Sequence, residues 1–519
     1  MIFDSSDLNE DTVIDADVCI VGAGVAGISL AYKLRESGLR VLLLESGGFE
    51  YDQDIQALYV GHIAKDLPPV PLDASRLRQF GGTSNHWGGH CAPFDLIDFQ
   101  KRAWIPASGW PIERAELEPY YVQTQDLIEL GEYNYDPATW YADNDQLFDL
   151  RSTSLRNLVI QMHAQRFGER YKGTLLHSKN VSVLTHSNLT KIHLSEDYSR
   201  ITSLEIQSLT GKTIFVRSRF TALCCGGVEN ARILLNAGLD KKLPNIGRYF
   251  SFHPRLETAR IALQRPLERD SSPYDWTEIR ENTLRLLIGL SVEAQARLKI
   301  ANHAAILHLV VNPELASYSA AKRLAGKAES SSSDSLFRDL GTFLSDIGGA
   351  VDQWRHRHGN EQMGELVVVT YMDQLPCPDS RVTLNDEKDA LGLRRVNVDW
   401  RYTDADVEGI TKFNEQLAIG LGAAGIGRLK LDASLSDREH FEQSMRMNSG
   451  GGHQIGTTRM STSIVDGVVD ANCKVHGIDN LFCAGSSVFP TTSWINPTMT
   501  ISALALRLAD HLADRATTP

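Results

Sequence analysis

Two polar residues late in the chain could do chemistry together. His453 stands in His453-Gln454-Ile455-Gly456-Thr457-Thr458-Arg459-Met460, and Asn496 opens Asn496-Pro497-Thr498-Met499-Thr500. A neutral imidazole titrates near operating pH and can take a proton from a hydroxyl. A primary amide is no base, but its N–H donors can hold an oxygen on which charge develops. An isolated histidine is ordinarily a surface or core residue. The glycines Gly450-Gly451-Gly452 before His453 favour a loop at a site.

Each of these residues needs an element to place it. The run 480–485 reads as a strand, and 500–513 reads as an amphipathic helix. Pro497 suits the first helical position, which would leave the backbone N–H groups of Thr498 and Met499 free at a positive dipole end. The plain reading of Asn-Pro is an N-cap, and the two are compatible.

The other end of the chain supplies what such a pair would act beside. Asp17-Val18-Cys19-Ile20-Val21 is a buried-strand pattern, followed at once by Gly22-Ala23-Gly24-Val25-Ala26-Gly27 and an apolar-faced helix over 28–37. A second strand, 40–44, ends at Glu45. A lone GxGxxG is weak, but here it sits inside a full βαβ unit with an acid after the second strand, which points to a dinucleotide. Gly22 allows the tight turn, Gly24 lets the backbone approach a pyrophosphate, and Gly27 lets helix and strand pack closely. The helix N-terminus offers N–H groups to phosphate. Glu45 can accept from ribose hydroxyls and would oppose a 2′-phosphate. The motif alone does not separate NAD from FAD. The rest of the nucleotide fold is delayed to 181–237 and 480–513, and a site built from distant pieces favours FAD.

Length and composition bound the rest. A chain of 519 residues suggests about three domains of ordinary size, or two larger ones. The net charge of −13 argues against nucleic acid or an anionic membrane as main partner. Seven cysteines, without a CxxC pair, read as reduced buried thiols rather than a disulfide frame or a metal cluster. There is no basic-then-apolar leader pattern and no long apolar run, so cytoplasmic residence and no integral membrane segment are expected.

Along the chain, the glycine-rich 81–89 reads as a loop passing close to a flat or charged group. Residues 181–184 and 189–194 read as paired strands, and 201–208 with 213–218 as a hairpin. A further strand over 220–225 leads into Gly226-Gly227 and a helix over 228–237. The region 264–360 has helical periodicity around a Ser-rich stretch and reads as an insertion. Strands follow at 365–372, 381–384 and 396–400, then a long helix from about 404 to 422.

These motifs together resemble the glucose–methanol–choline (GMC) flavoprotein oxidoreductases. The resemblance rests on 17–27, on Gly81-Gly82-Thr83-Ser84-Asn85-His86-Trp87-Gly88-Gly89, on 453–460, on 468–490 and on 496–500. It implies FAD and an α/β fold, α+β overall. A Rossmann-like FAD-binding domain would be assembled from 1–100, 170–250 and 450–519. A substrate domain on an antiparallel sheet with helices would take 101–169 and 251–449, with a helical insertion near 310–360.

The resemblance also carries site roles. His453 and Asn496 are the catalytic pair beside the flavin. Cofactor contacts fall to Gly22, Gly24, Ala26, Gly27, Glu45, Ser46, Gly82, Thr83, Asn85, His86, Trp87, Leu189, Gly226, Gly485, Ser486, Pro497, Thr498 and Met499. Gly485 stands where many members carry an acid, so its contact must come from backbone. In some members a histidine at the place of His86 is bonded to the flavin, and in others it only packs there; both stay open. Gln374, Trp494 and His90, with His253, are the candidate substrate contacts, although Gln374 also reads simply as a strand end.

The implied activity is FAD-dependent oxidation of an alcohol, such as a secondary hydroxyl of a sugar, glycoside or polyol-like metabolite. Oxygen, a quinone or an electron-transfer protein would reoxidise the flavin, and a homo-oligomer is compatible with the sequence. The alternative is a non-oxidative enzyme on the same fold, such as a hydroxynitrile lyase or a fatty-acid photodecarboxylase.

Overall fold

The computed structural model describes residues 2–67, 70–268, 271–309, 362–447 and 452–517. The expected insertion near 310–360 lies outside the described residues.

The strand Val13–Val21 lies inside an eight-stranded sheet. It pairs in parallel with Val41–Leu44 on one side and Thr213–Leu223 on the other. Val181–Thr185 lies in parallel beyond Val41–Leu44, and Leu481–Cys483 pairs in parallel with the end of Thr213–Leu223. Val18, Cys19 and Ile20 are fully buried, as a parallel strand covered on both faces requires. The helices Val25–Leu34 and Thr498–Thr517 pack on one another, and Ser29 and Ser502 share a hydrogen bond of 2.9 Å between them. Pro497 takes the capping place and not the first helical one, since its carbonyl accepts from Ile501 N–H.

Two sequence expectations change here. Residues 181–184 and 189–194 do not pair with each other. Val181–Thr185 joins the parallel strands, while Asn188–Leu194 pairs antiparallel with Ile201–Gln207. The short link imitates a hairpin locally, but the fully buried Val183 and Leu184 need an interior place in the sheet. The hairpin of Ile201–Gln207 with Thr213–Leu223 does form, and the expected separate strand at 220–225 is the continuation of its second arm.

The flank after 264 is the second change: it is mostly sheet, not helix. Arg255–Glu268, Asn282–Leu290, Ala304–Leu309 and Gln362–Tyr371 join Leu155–Met162, Gly427–Leu431 and His90–Cys91 in a second, antiparallel sheet. Leu284, Leu286, Leu287 and Ile288 are all buried, so the run shows no polar alternation to mark it as a strand. The helix Asp404–Ala423, with its Thr403/Asp406 capping box, packs its buried Phe413, Leu417 and Leu421 in the core of this sheet. A small third sheet pairs Arg381–Lys388, Arg394–Asp399 and His62–Ile63. All seven cysteines are unpaired, and all but Cys225 are buried.

Candidate active site

A cavity of ≈ 490 Å³ opens where the glycine loop, the 82–90 segment, the start of Arg255–Glu268 and the 485–498 segment converge. The glycine loop is built as its motif demands. A Cβ on Gly27 would lie 1.9 Å from the Gly22 carbonyl oxygen, so only glycine lets the helix start so near the strand end. Gly82, at φ +57°, brings the second glycine segment to the first: a Cβ there would lie 2.9 Å from Gly24 Cα. Nothing lies within 4 Å of where a Cβ on Gly24 or Gly226 would stand, which leaves both edges of the cavity open to a bulky group.

Glu45 is buried and accepts from the backbone N–H groups of Ala23 (2.7 Å) and Gly47 (3.1 Å). Burial raises its pKa against these bonds. Ser46 donates to Asn188 at 2.5 Å and receives from Arg78 at 2.7 Å. Next to it stands a charge cluster that the sequence reading missed. Glu229 is held by Arg78 at 2.7 Å, Arg232 at 2.9 Å and Arg76 at 3.5 Å, and Arg232 also pairs with Asp389 at 2.5 Å. Burial alone would raise the Glu229 carboxyl, but Arg232, Arg78 and Arg76 outweigh it and hold it at about 2. The one local signal was the Glu229/Arg232 spacing on a helix that follows two glycines.

At the other end stand His453, Asn496, His90 and Arg255. His453 is half-buried with its Nδ1 sealed from solvent and without a partner. Burial, then His253, Arg255 and His90, hold its pKa well below the usual histidine range. The ring is therefore held in its neutral form. His253 is buried behind it, with ring centroids 5.5 Å apart and planes at 83°. His90 tilts against Trp276 at 4.8 Å; burial, Arg255 and Arg285 bring it down to about 4. Arg255 Nη2 donates to Asn496 Oδ1 at 3.2 Å. A guanidinium has no acceptor, so the amide oxygen must face it and Asn496 Nδ2 is left to donate elsewhere. Arg255 also escaped the sequence reading, although it lies two residues after His253.

The cavity wall includes Gly22, Gly24, Ala26, Glu45, Ser46, Gly82, Thr83, His86, Trp87, His90, Leu189, Gly226, Gly485, Ser486, Pro497 and Thr498. Gly27 lies beneath the loop. Asn85 turns away to donate to the Phe80 carbonyl at 2.9 Å, and Met499 is buried under Tyr135. Gln374 and Trp494, expected on the substrate side, are not on the wall. Gln374 accepts from Phe252 N–H and Trp400 Nε1 and donates to the Arg401 carbonyl, so its amide is held within the fold. Trp494 is buried and donates to Asp95 at 2.9 Å. Buried polar groups take partners wherever the fold offers them: the Gln374 amide ties Phe252 to Trp400 and Arg401, and Trp494 ties the loop before Asn496 to Asp95.

Residues 376–505 match the family described as GMC oxidoreductase, and residues 17–297, more than half of the chain, match the one described as FAD dependent oxidoreductase. The chain belongs to the GMC family of FAD-dependent oxidoreductases. It is a flavin-dependent alcohol oxidase or dehydrogenase. Its similar relatives include 2-methyl-1,2-propanediol dehydrogenase of Mycolicibacterium austroafricanum, at 22% identity over 96% of this chain and 95% of the relative. Another is the fructose dehydrogenase large subunit of Gluconobacter japonicus, at 21% identity over 96% and 98%. Among solved structures, pyridoxine 4-oxidase from Mesorbium loti shares the fold, with a TM-score of 0.54 at 18% identity over 96% of this chain and 99% of that one. The cavity fits FAD. It has an open glycine edge for phosphates, a buried carboxylate beside that edge, and at its far end a neutral imidazole lacking a partner. Among the described residues no helix is long and apolar enough to cross a membrane.

Proposed function

We propose that this GMC oxidoreductase oxidises a secondary hydroxyl of a sugar, glycoside or polyol-like metabolite, with His453 as base and Asn496 as the donor that holds the reacting oxygen. The observation that carries this reading is the shared wall. His453 and Asn496 face one cavity, and Arg255 turns the Asn496 amide so that Nδ2 is the free group. His453 takes the hydroxyl proton. Asn496 Nδ2 donates to the oxygen as charge develops and limits how the carbon can point. Bound FAD supplies the hydride acceptor. The helix Thr498–Thr517 begins at the cavity edge, and its N-terminus favours negative charge there. In the same reading Gly22, Gly24, Glu45 and Ser46 hold the nucleotide half, while His86 and Trp87 wall the ring half. The relatives whose printed names include propanediol and fructose support a hydroxyl-rich substrate. A photodecarboxylase would need a long apolar tunnel, whereas imidazoles, an amide and a guanidinium wall this end of the cavity.

Anaerobic reduction of the flavin band tests the assignment. His453→Ala should slow reduction by about a hundredfold or more while FAD stays bound, the usual scale of a positioned base. An unchanged rate removes His453 from that role.

A further inference from the structure

Arg255 carries a charge with no part in the oxidation chemistry beyond orienting the Asn496 amide. It stands half-buried on the cavity wall, its guanidinium over the Tyr371 ring at 4.5 Å, with Nη2 on Asn496 and Nε sealed off without a partner. Every other arginine on the wall meets a carboxylate: Arg76 and Arg78 meet Glu229, and Arg232 meets Glu229 and Asp389. Among the described residues no carboxylate comes within the 4.0 Å of an ion pair with Arg255. The wall's own carboxylates cannot supply one, because Glu45, Glu229 and Asp389 are held by the contacts above. A cation drawn out of water without a counter-ion is costly, so an anion bound there restores the balance. The neighbouring His90 and His453 are neutral rings, and a neutral imidazole both donates and accepts. Such groups suit hydroxyls.

Building on the alcohol-oxidation reading, we propose that the substrate is a polyhydroxy acid, a sugar acid whose carboxylate rests on Arg255 while His453, His90 and Asn496 receive its hydroxyls. The guanidinium fork is the side chain best matched to a planar carboxylate. The arrangement also links binding to chemistry. Arg255 opposes protonation of His453. A carboxylate seated on Arg255 offsets that opposition, so the correct substrate strengthens the base that attacks it.

Two matched pairs test this in the holoprotein by anaerobic flavin reduction: D-gluconate against D-glucitol, and D-glucuronate against D-glucose. Within each pair the carbon skeleton is shared and only the charge at one end differs substantially. The acid should half-saturate reduction at a concentration at least about tenfold lower than its neutral partner, the scale of a charge-assisted contact, and added salt should narrow the gap. Arg255→Gln keeps an amide donor for Asn496 Oδ1 and removes the charge, so the neutral-to-acid ratio should fall to about 1. Arg255→Lys should retain part of it.

Equal half-saturation in the wild-type protein overturns the proposal, and this comparison stands even where a variant is unstable. A ratio that survives Arg255→Gln also overturns it. A lowered flavin potential and weakened sulfite adduct with an unchanged ratio would place the charge on the cofactor instead. If no alcohol, neutral or acidic, bleaches the flavin, the oxidation reading itself falls. Reduction by neutral sugars without preference leaves that reading standing and removes only the sugar acid.

Discussion

At the end of the cavity beside the glycine loop, every charge has a partner. Glu229 is shared among three arginines, Asp389 meets Arg232, and Glu45 accepts from two backbone N–H groups. At the other end, His453 Nδ1, His90 Nδ1 and Arg255 Nε are buried and unpartnered. The first set is charge-paired within the protein, although Arg78 Nε makes no hydrogen bond, and its ion pairs can hold their shape before any ligand arrives. The second is incomplete, and groups left incomplete in a low-dielectric pocket are the ones able to act on a bound molecule.

The sharpest way to break this contrast is to open the paired end. Glu229→Ala leaves the buried Arg76 and Arg78 without an anion and Arg232 with Asp389 alone, and thermal or denaturant unfolding of the holoprotein should show a loss of about 3–5 kcal/mol. A loss as small as that of a surface variant would show that the cluster is hydrated and not structural.

The incomplete end should respond to acid. His90, His253 and His308 are lowered to about 4 by burial first and nearby guanidinium groups second. The unfolded chain therefore binds more protons than the folded one between the ordinary histidine value and that limit. Stability should be full above the ordinary value and fall as pH drops through this window. Unfolding midpoints across pH check the sign. Flavin reduction should stay flat down to the ordinary histidine value, because burial and the neighbouring charged groups hold His453 well below it. Arg255→Gln removes one cause of that lowering and should move the acid limb to higher pH.

The smallest effect is expected at His86, which is exposed on the cavity wall, with a pKa lowered by partial desolvation and Arg166. Its variant His86→Ala should barely change stability. Acid precipitation reads its chemistry: colour that stays with wild-type protein and leaves with His86→Ala marks a covalent bond, and colour lost from both marks packing alone.

The motif-bearing pieces were legible because each is local. Gly22, Gly24 and Gly27 announce a turn whose steric demand is met within a few residues, and the Thr403/Asp406 capping box marks its helix start without outside help. Misreadings came where local and global forces disagree. The 181–194 stretch resembles a hairpin but divides between parallel and antiparallel partners. The 282–290 run is apolar on both faces and so carries no strand period. Gln374 and Trp494 have the right chemistry for a sugar, but burial had already assigned their polar atoms to the backbone and to Asp95.

The residue order therefore carried the family resemblance, the FAD it implies and two polar groups, His453 and Asn496, that line the cavity, since glycine geometry and motif spacing are properties of short segments. It could not settle how those groups are tuned. Arg255 and Asn496 lie 241 residues apart, and their contact at 3.2 Å exists only because one begins a strand of the second sheet and the other precedes the last helix. Orientation of the amide, neutrality of His453 and the unmatched charge beside it arise from burial and proximity, which folding alone supplies.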